Sequence, residues 1–306
     1  MKISVTYLVS ILLNGYPPKF TDEVQTFKDI NKLGFRYLEM EGLGREHSEN
    51  VRKNIDIYKK ALSDNDIQIH NFCIVDPNLV SLDANLRQTA YDNFKLMAEV
   101  AQQLDAETLH LASYAPPVTY KGRKPYQLDG GEYTFDNKPH ISIPDGFKWQ
   151  PVWDTLVESC RFCASVAQEY DKTIIMEPRV GEIICSVDSM IRLIQDVDMQ
   201  NFKANFDTGH FSAQREDVCL ALMKLDSQFA NIHIADNNPT STNHLPLGEG
   251  IIDWYEFFRI LVKMGYNGYL GLDIGARTFE ELSRGLLKSR DYIVNITEQL
   301  GVKVKW

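Results

Sequence analysis

The sequence predicts an α/β protein built as a single closed (β/α)8 barrel over residues 1–306, and three observations carry that prediction. Short β-rich runs alternate with longer amphipathic stretches along the whole chain, the pattern of repeated strand–helix units. The runs are apolar almost throughout and turn polar only near their C-terminal residue, as strands do when helices cover their outer face. Eight of them in 306 residues fit one barrel, which takes about 250 residues. An open doubly wound sheet is the alternative, disfavoured because no strand is followed by a GxGxxG turn.

The first strand is read in KISVTYLV (2–9). No signal peptide is assigned to the apolar N-terminus, which lacks a small-residue cleavage site. TDEVQTFKDINKLG follows as a helix, with apolar residues at three- and four-residue spacing. FRYLEM (35–40) is the second strand, IQIHNFCI (67–74) the third and ETLHLAS (107–113) the fourth. NVRKNIDIYKKALSDN and LRQTAYDNFKLMAEVAQQL are the helices between them. TIIMEP (173–178), FKANFD (202–207), NIHIAD (231–236) and YLGLDI (269–274) complete the set. The connection at 113–151 breaks the rhythm: it is rich in Pro, Gly, Tyr and charge and has no helical period. Structureless loops beyond about 15 residues are usually lids, binding loops or interfaces. Because it follows a strand C-terminus, it is expected at the active-site end, with Tyr114, Tyr120, Tyr126, Tyr133 and Phe135 needing a surface to cover.

Composition removes several function classes. Lys+Arg is 32 against Asp+Glu 42, a formal charge of −10, whereas proteins that bind nucleic acid through phosphate contacts carry a basic surplus. No run reaches the roughly 18 apolar residues of a membrane span. The five cysteines (Cys73, Cys160, Cys163, Cys185, Cys219) are an odd number in a long chain and do not form a disulfide framework. Cys160 and Cys163 lie in the helical pattern VWDTLVESCRFCASVA and are read as buried core residues. A cytoplasmic location is expected.

Barrel chemistry collects at the C-terminal ends of the strands. The residues assigned there are Glu39 or Glu41 at strand 2, His70 at strand 3, His110 at strand 4, Glu177 at strand 5, Asp207 at strand 6, His233 at strand 7 and Asp273 at strand 8. His210 (in FDTGHF) and His244 (in NHLPLGEG) follow closely. Such groups are costly inside apolar strands unless they are paired or bound to metal. Glu177, Asp207, His233 and Asp273 come from four consecutive strands and would give three carboxylates and one imidazole. That mixed set suits Mn²⁺, Mg²⁺ or Co²⁺ more than structural Zn²⁺. A metal held this way polarises a carbonyl and stabilises an enediolate, and carboxylates on either side of the carbon could move its proton. Catalytic roles are therefore expected for Glu177 and Asp273.

The strings MEP with Glu177, NFDTGH with Asp207 and His210, NIHIAD with His233, and HLPLGEGIIDW followed by GYNGYLGLDIG resemble the xylose-isomerase-like TIM-barrel superfamily. It contains sugar isomerases, ketose 3-epimerases, inosose dehydratases and endonuclease IV. The resemblance covers nearly the whole chain as a strand pattern and is most specific over about 173–275. It implies that Glu177, Asp207, His233 and Asp273 bind one divalent metal, Mn²⁺ first with Mg²⁺, Co²⁺ or Zn²⁺ as alternatives. It also implies that His210 contacts a small sugar substrate. The PLGEG turn at 246–250 is read as structural, with His244 facing the site. There is a departure: the last ligand is usually Glu in the ketose epimerases, where it doubles as an acid/base, and here it is Asp273.

In the endonuclease IV branch, His70, His110 and His244 would serve a trinuclear site, but Thr242 stands where that branch has an aspartate. A non-catalytic sugar-binding barrel is a further alternative. The 113–151 connection with EPRVGE is also similar to α-subunits of C-glycoside deglycosidases and related 3-keto-glycoside lyases. That resemblance implies β-elimination of an aglycone, with His140 as an acid/base, Arg179 at an enolate oxygen and a small β-rich partner subunit. A homo-oligomer is the other expectation. His70, His110, His244, His210 and Arg179 are thus the expected substrate-side residues.

Overall fold

The computed structural model describes residues 1–121, 140–238 and 242–306. Its strands are β1 (Lys2–Val5), β2 (Tyr37–Leu43), β3 (Gln68–Val75), β4 (Thr108–Ala112), β5 (Thr119–Lys121), β6 (His140–Ser142), β7 (Thr173–Glu177), β8 (Phe202–Asp207), β9 (Phe229–Ile234) and β10 (Tyr269–Leu272). Eight of these close a parallel barrel in the order β1-β10-β9-β8-β7-β4-β3-β2, while β5 and β6 form a separate antiparallel ribbon. The helices are α1 (Leu8–Asn14), α2 (Phe20–Lys32), α3 (Gly44–Lys53), α4 (Ile55–Asp64), α5 (Ala84–Gln103), α6 (Trp149–Glu169), α7 (Val187–Val197), α8 (Thr208–Ala213), α9 (Val218–Leu225), α10 (Trp254–Lys263) and α11 (Phe279–Gln299). Among the described residues no helix is long and apolar enough to cross a membrane.

The helices cover the sheet for the reason the spacing suggests. In α10, Asp253 caps the first turn by accepting from the Glu256 amide, and Trp254, Phe257, Phe258 and Leu261 fall on one buried face. Phe257 meets Phe206 of β8 with ring centroids 5.9 Å apart. Burying each such side chain contributes about 1.5–3 kcal/mol.

Three expectations are corrected. The first strand stops at Val5 rather than continuing to residue 9, because its partner β10 ends at Leu272. Beyond it the backbone finds its hydrogen bonds in α1, which buries Leu8, Val9 and Ile11. The second strand runs to Leu43 instead of 40, paired with β3 up to Leu43–Val75, so Glu39 and Glu41 both lie inside it. The long connection is not structureless throughout: Thr119–Lys121 pairs with His140–Ser142. Tyr126, Tyr133 and Phe135 lie outside the described residues.

The turns that lead into the strands share one device. Asp66, Asp105, Asp171, Asp198 and Asp226, placed just before β3, β4, β7, β8 and β9, all adopt left-handed φ between 50° and 57°. Gly34 and Gly265 do the same before β2 and β10. Aspartate tolerates this conformation better than most residues, and it ends the preceding helix so that the chain can re-enter the barrel.

Candidate metal centre at the barrel mouth

Adjacent strands bring the central cluster together. Glu177 ends β7, Asp207 ends β8, and His233 on β9 is the register partner of Asp207. His233 Nδ1 lies 2.7 Å from Glu177 Oε1 and 3.6 Å from Asp207 Oδ2. Its Nε2 lies 2.9 Å from Glu39 Oε2. One ligand atom from each of Glu177, Asp207 and His233 falls within 4.8 Å of the other two, and Glu39, His110 and His233 form a second such group across the imidazole.

Local structure fixes each side chain. Asp207 divides its carboxylate: Oδ1 accepts from the His210 amide and caps α8, leaving Oδ2 toward His233. Below the cluster lies a layer of amides. Asn205 Nδ2 donates to Glu177 Oε1 at 2.9 Å, and Asn231 Nδ2 donates to Glu39 Oε1 and to Asn205 Oδ1, each at 3.1 Å. Buried amides that hold buried carboxylates in one orientation are what a metal or substrate site needs behind it.

The charges are mutually dependent. Burial disfavours the His233 imidazolium, but Glu39 and Glu177 outweigh it and raise its pKa well above the usual range. Burial likewise disfavours the Glu177 carboxylate, and His233 more than offsets that, holding it well below its ordinary value. Two carboxylate oxygens and one imidazole nitrogen, with the second ring nitrogen of His233 on Glu39, fit a hard or borderline divalent ion; Glu177, Asp207 and His233 could hold it.

The cluster opens into a pocket whose wall includes Tyr7, Tyr16, Glu41, Cys73, His110, Arg179, His210 and Asp273. Asp273 lies on this wall but is not part of the close three-residue group: Thr6 Oγ1 donates to its Oδ1 at 2.7 Å, and His244 Nδ1 lies 2.8 Å from its Oδ2. Burial works against both charges of the His244–Asp273 pair. The Asp273 charge outweighs it and brings His244 up to about 9, while His244 brings Asp273 down to about 2. Arg179 reaches from the β7 end to Glu182 at 3.2 Å and Glu177 at 3.8 Å. Burial pushes Glu182 up to about 7 even beside that guanidinium.

The other expected residues separate by depth. His110 lines the pocket, takes Asn71 on Nδ1 at 3.1 Å, and is pushed down to about 4 by burial. His70 is not at a strand end: β3 runs from Gln68 to Val75, so His70 lies low in the barrel, stacked on Tyr269 with centroids 3.8 Å apart. His244 stands behind Asp273 rather than on the pocket wall. His140 is exposed on the β5–β6 ribbon opposite Lys121, away from the lining residues. The PLGEG turn is held by Asp236, whose carboxylate accepts from the Gly248 amide and the Trp254 indole.

Sequence reasoning placed Glu39 or Glu41 at the end of strand 2 without giving either a role in the chemistry, and it did not see the asparagine layer. A signal was present in the two-residue period: Asn205 precedes Asp207, Asn231 precedes His233 and Glu39 precedes Glu41, each by two positions on the same strand face. Tyr7 was hidden because the expected first strand, 2–9, runs through it, and nothing local marks Tyr16 as a pocket residue.

The chain is similar to fructoselysine 3-epimerase of Escherichia coli O157:H7, 20% identical over 262 residues that cover 81% of this chain and 84% of that one. It is similar to hydroxypyruvate isomerase of Escherichia coli K12, 24% identical over 143 residues, 45% of this chain and 54% of the relative. The chain thus spans about half the length of several curated relatives it matches. Among solved structures, D-psicose 3-epimerase with D-tagatose from Clostridium cellulolyticum H10 superposes with a TM-score of 0.73 at 19% identity, covering 97% of this chain and 99% of that one. Residues 27–295 match the family described as xylose isomerase-like TIM barrel. The chain belongs to the xylose isomerase-like TIM-barrel family.

Proposed function

We propose that this protein is a divalent-metal-dependent enzyme that enolises a sugar or keto-sugar, acting as a sugar isomerase or epimerase. The observation that carries the reading is the Glu177–Asp207–His233 group, its donor atoms within 4.8 Å of one another, beside a pocket. The isomerase and epimerase names of the relatives support it. A divalent ion there, Mn²⁺ first, supplies polarisation of a carbonyl and stabilises negative charge on its oxygen. Glu177 is ionised and takes the proton from the adjacent carbon. His210 and Arg179 orient the sugar hydroxyls, and Asp273 completes the acidic wall. Asn205 and Asn231 keep the carboxylates from turning away.

A second reading is a 3-keto-glycoside lyase with a partner subunit. It is supported by the β5–β6 ribbon and by the apolar side chains next to it that face solvent, Ile141, Ile143 and Trp149. It begins with the same proton abstraction and ends in loss of an aglycone, with His140 as the acid.

The test is solvent deuterium exchange on Mn²⁺-loaded and chelator-stripped protein, with ketohexoses and a 3-keto-glucoside as probes. Metal-dependent exchange at a carbon next to the carbonyl is expected; its absence from every probe at full metal occupancy refutes enolisation. Glu177→Gln and His233→Ala are each expected to lose bound metal by elemental analysis, and stoichiometric metal in both refutes the site. Aglycone release from the 3-keto-glucoside selects the lyase.

A further inference from the structure

A reaction that inverts a carbon needs a proton donor on the face opposite the base. The residue in the epimerase position for that task, Asp273, is committed elsewhere: one oxygen accepts from Thr6 and the other faces His244 at 2.8 Å. Another carboxyl group stands in the same pocket. Glu41 is on β2, in a register row with Cys73 of β3 and His110 of β4, and all three line the pocket wall. In the closed order, β2 is separated from β7 by β3 and β4 on one side and stands four places from β8 on both. Glu41 therefore occupies the wall across from Glu177 and Asp207. Its carboxyl group makes no hydrogen bond or salt bridge to a described residue, although it is half-buried. A half-buried carboxyl that no described residue hydrogen-bonds is free to meet a ligand in the pocket.

We propose that Glu41 is the second proton-transfer residue of this site, acting on the face of the substrate carbon opposite Glu177. The proposal rests on the enolisation reading above. Glu177 takes the proton as the C–H bond breaks and becomes a carboxylic acid; the electron pair moves into the enediolate. Glu41 then gives its own proton to the opposite face, a new C–H bond forms, and Glu41 is left as a carboxylate. Exchange with water resets both groups. The placement suits these roles: Glu177 belongs to the ligand group on β7, β8 and β9, whereas Glu41 stands on β2, on the opposite wall of the same pocket.

The experiment uses Mn²⁺-loaded wild type, Glu41→Gln and Glu41→Asp with D-fructose and D-tagatose in ²H₂O, read by NMR at C3. Wild type is expected to form the 3-epimer with deuterium at C3. Glu41→Gln is expected to lose epimer formation by about 100-fold or more, in the range a general acid supplies. It should still wash deuterium into the recovered sugar within about threefold of wild type, as Glu177 remains. Glu41→Asp keeps the acid but withdraws it by a methylene; wash-in with epimer formation slowed about tenfold is expected. Metal content and melting temperature of both variants serve as the check on folding. Epimer formation by Glu41→Gln within threefold of wild type overturns the proposal, as does equal loss of wash-in and epimer from a folded, metal-loaded variant. Absence of wash-in from wild type with these ketohexoses and with the 3-keto-glucoside sinks the enolisation reading, an outcome distinct from failure of Glu41 alone.

Discussion

Replacing Asp236 by Asn tests whether the segment after β9 is fixed by one carboxylate. Oδ1 accepts from the amides of Asn237 at 3.0 Å and Ile252 at 3.2 Å; Oδ2 accepts from the Gly248 amide at 2.9 Å and the Trp254 indole at 2.8 Å. The side chain is fully buried. An amide in its place offers one acceptor and one NH₂, and whichever way it turns the NH₂ faces two N–H donors. Two hydrogen bonds to a charged acceptor are lost, about 1.5–3 kcal/mol each, so Asp236→Asn is expected to cost about 3–6 kcal/mol. At roughly 2–4 °C per kcal/mol for a chain of this size, the melting temperature should fall by about 6–24 °C. Calorimetry measures this, and Trp254 fluorescence reports whether the clamp itself has loosened. Trp254→Phe, which removes one donor and leaves three, should fall less. A melting temperature for Asp236→Asn within about 2 °C of wild type refutes the clamp, since so small a shift corresponds to about 1 kcal/mol or less.

Two more outcomes follow from other buried groups. His244 is raised to about 9 from an ordinary 6.5, so the stability it adds is fully present below 6.5 and is lost as pH rises through about 9. In EDTA, wild type should therefore lose stability between these values more steeply than His244→Gln; parallel urea midpoints would show that the pair with Asp273 contributes nothing. Cys73, Cys160 and Cys163 are buried and their thiols are pushed up by burial, whereas Cys185 and Cys219 are part-exposed. A thiol reagent at pH 8 should label at most these two in the native chain, and rapid labelling of all five would contradict the packing of α6.

The barrel was legible because its signal is local: apolar runs of strand length, each with a polar tail, repeated. FKANFD was placed at 202–207, as observed, since its last residue both ends the strand and caps the next helix. Three of the four expected ligands, Glu177, Asp207 and His233, were legible as a candidate group for a related reason: the first two end their strands and His233 lies one residue short of the end of β9, whereas Asp273 falls outside the close group. What stayed hidden depends on partners far apart in the chain. Thr6 reaches Asp273 across 267 positions, and Asn231 reaches Glu39 across 192. Nothing near Asp273 in the sequence tells that both its oxygens are engaged. His70 was placed too high because an imidazole in an apolar run looks the same at either end of a strand; only the register shows that it packs on Tyr269.

The five left-handed aspartates divide the molecule by what each end can tolerate. They sit where strands begin, at the end of the barrel away from Glu177 and His233, and they place part of the −10 formal charge there as well as at the mouth. A positive φ costs most L-residues roughly 1–2 kcal/mol; Gly or Asn carries the left-handed form more cheaply, and at Asp226, with ψ −123°, only Gly does. Asp66, Asp105, Asp171, Asp198 and Asp226 are thus a reserve of independent stabilising substitutions that leave the pocket wall as it is. Laboratory evolution of a new substrate range could draw on that reserve to offset destabilising changes at the mouth, because in this fold robustness and chemistry are held at opposite ends of the same strands.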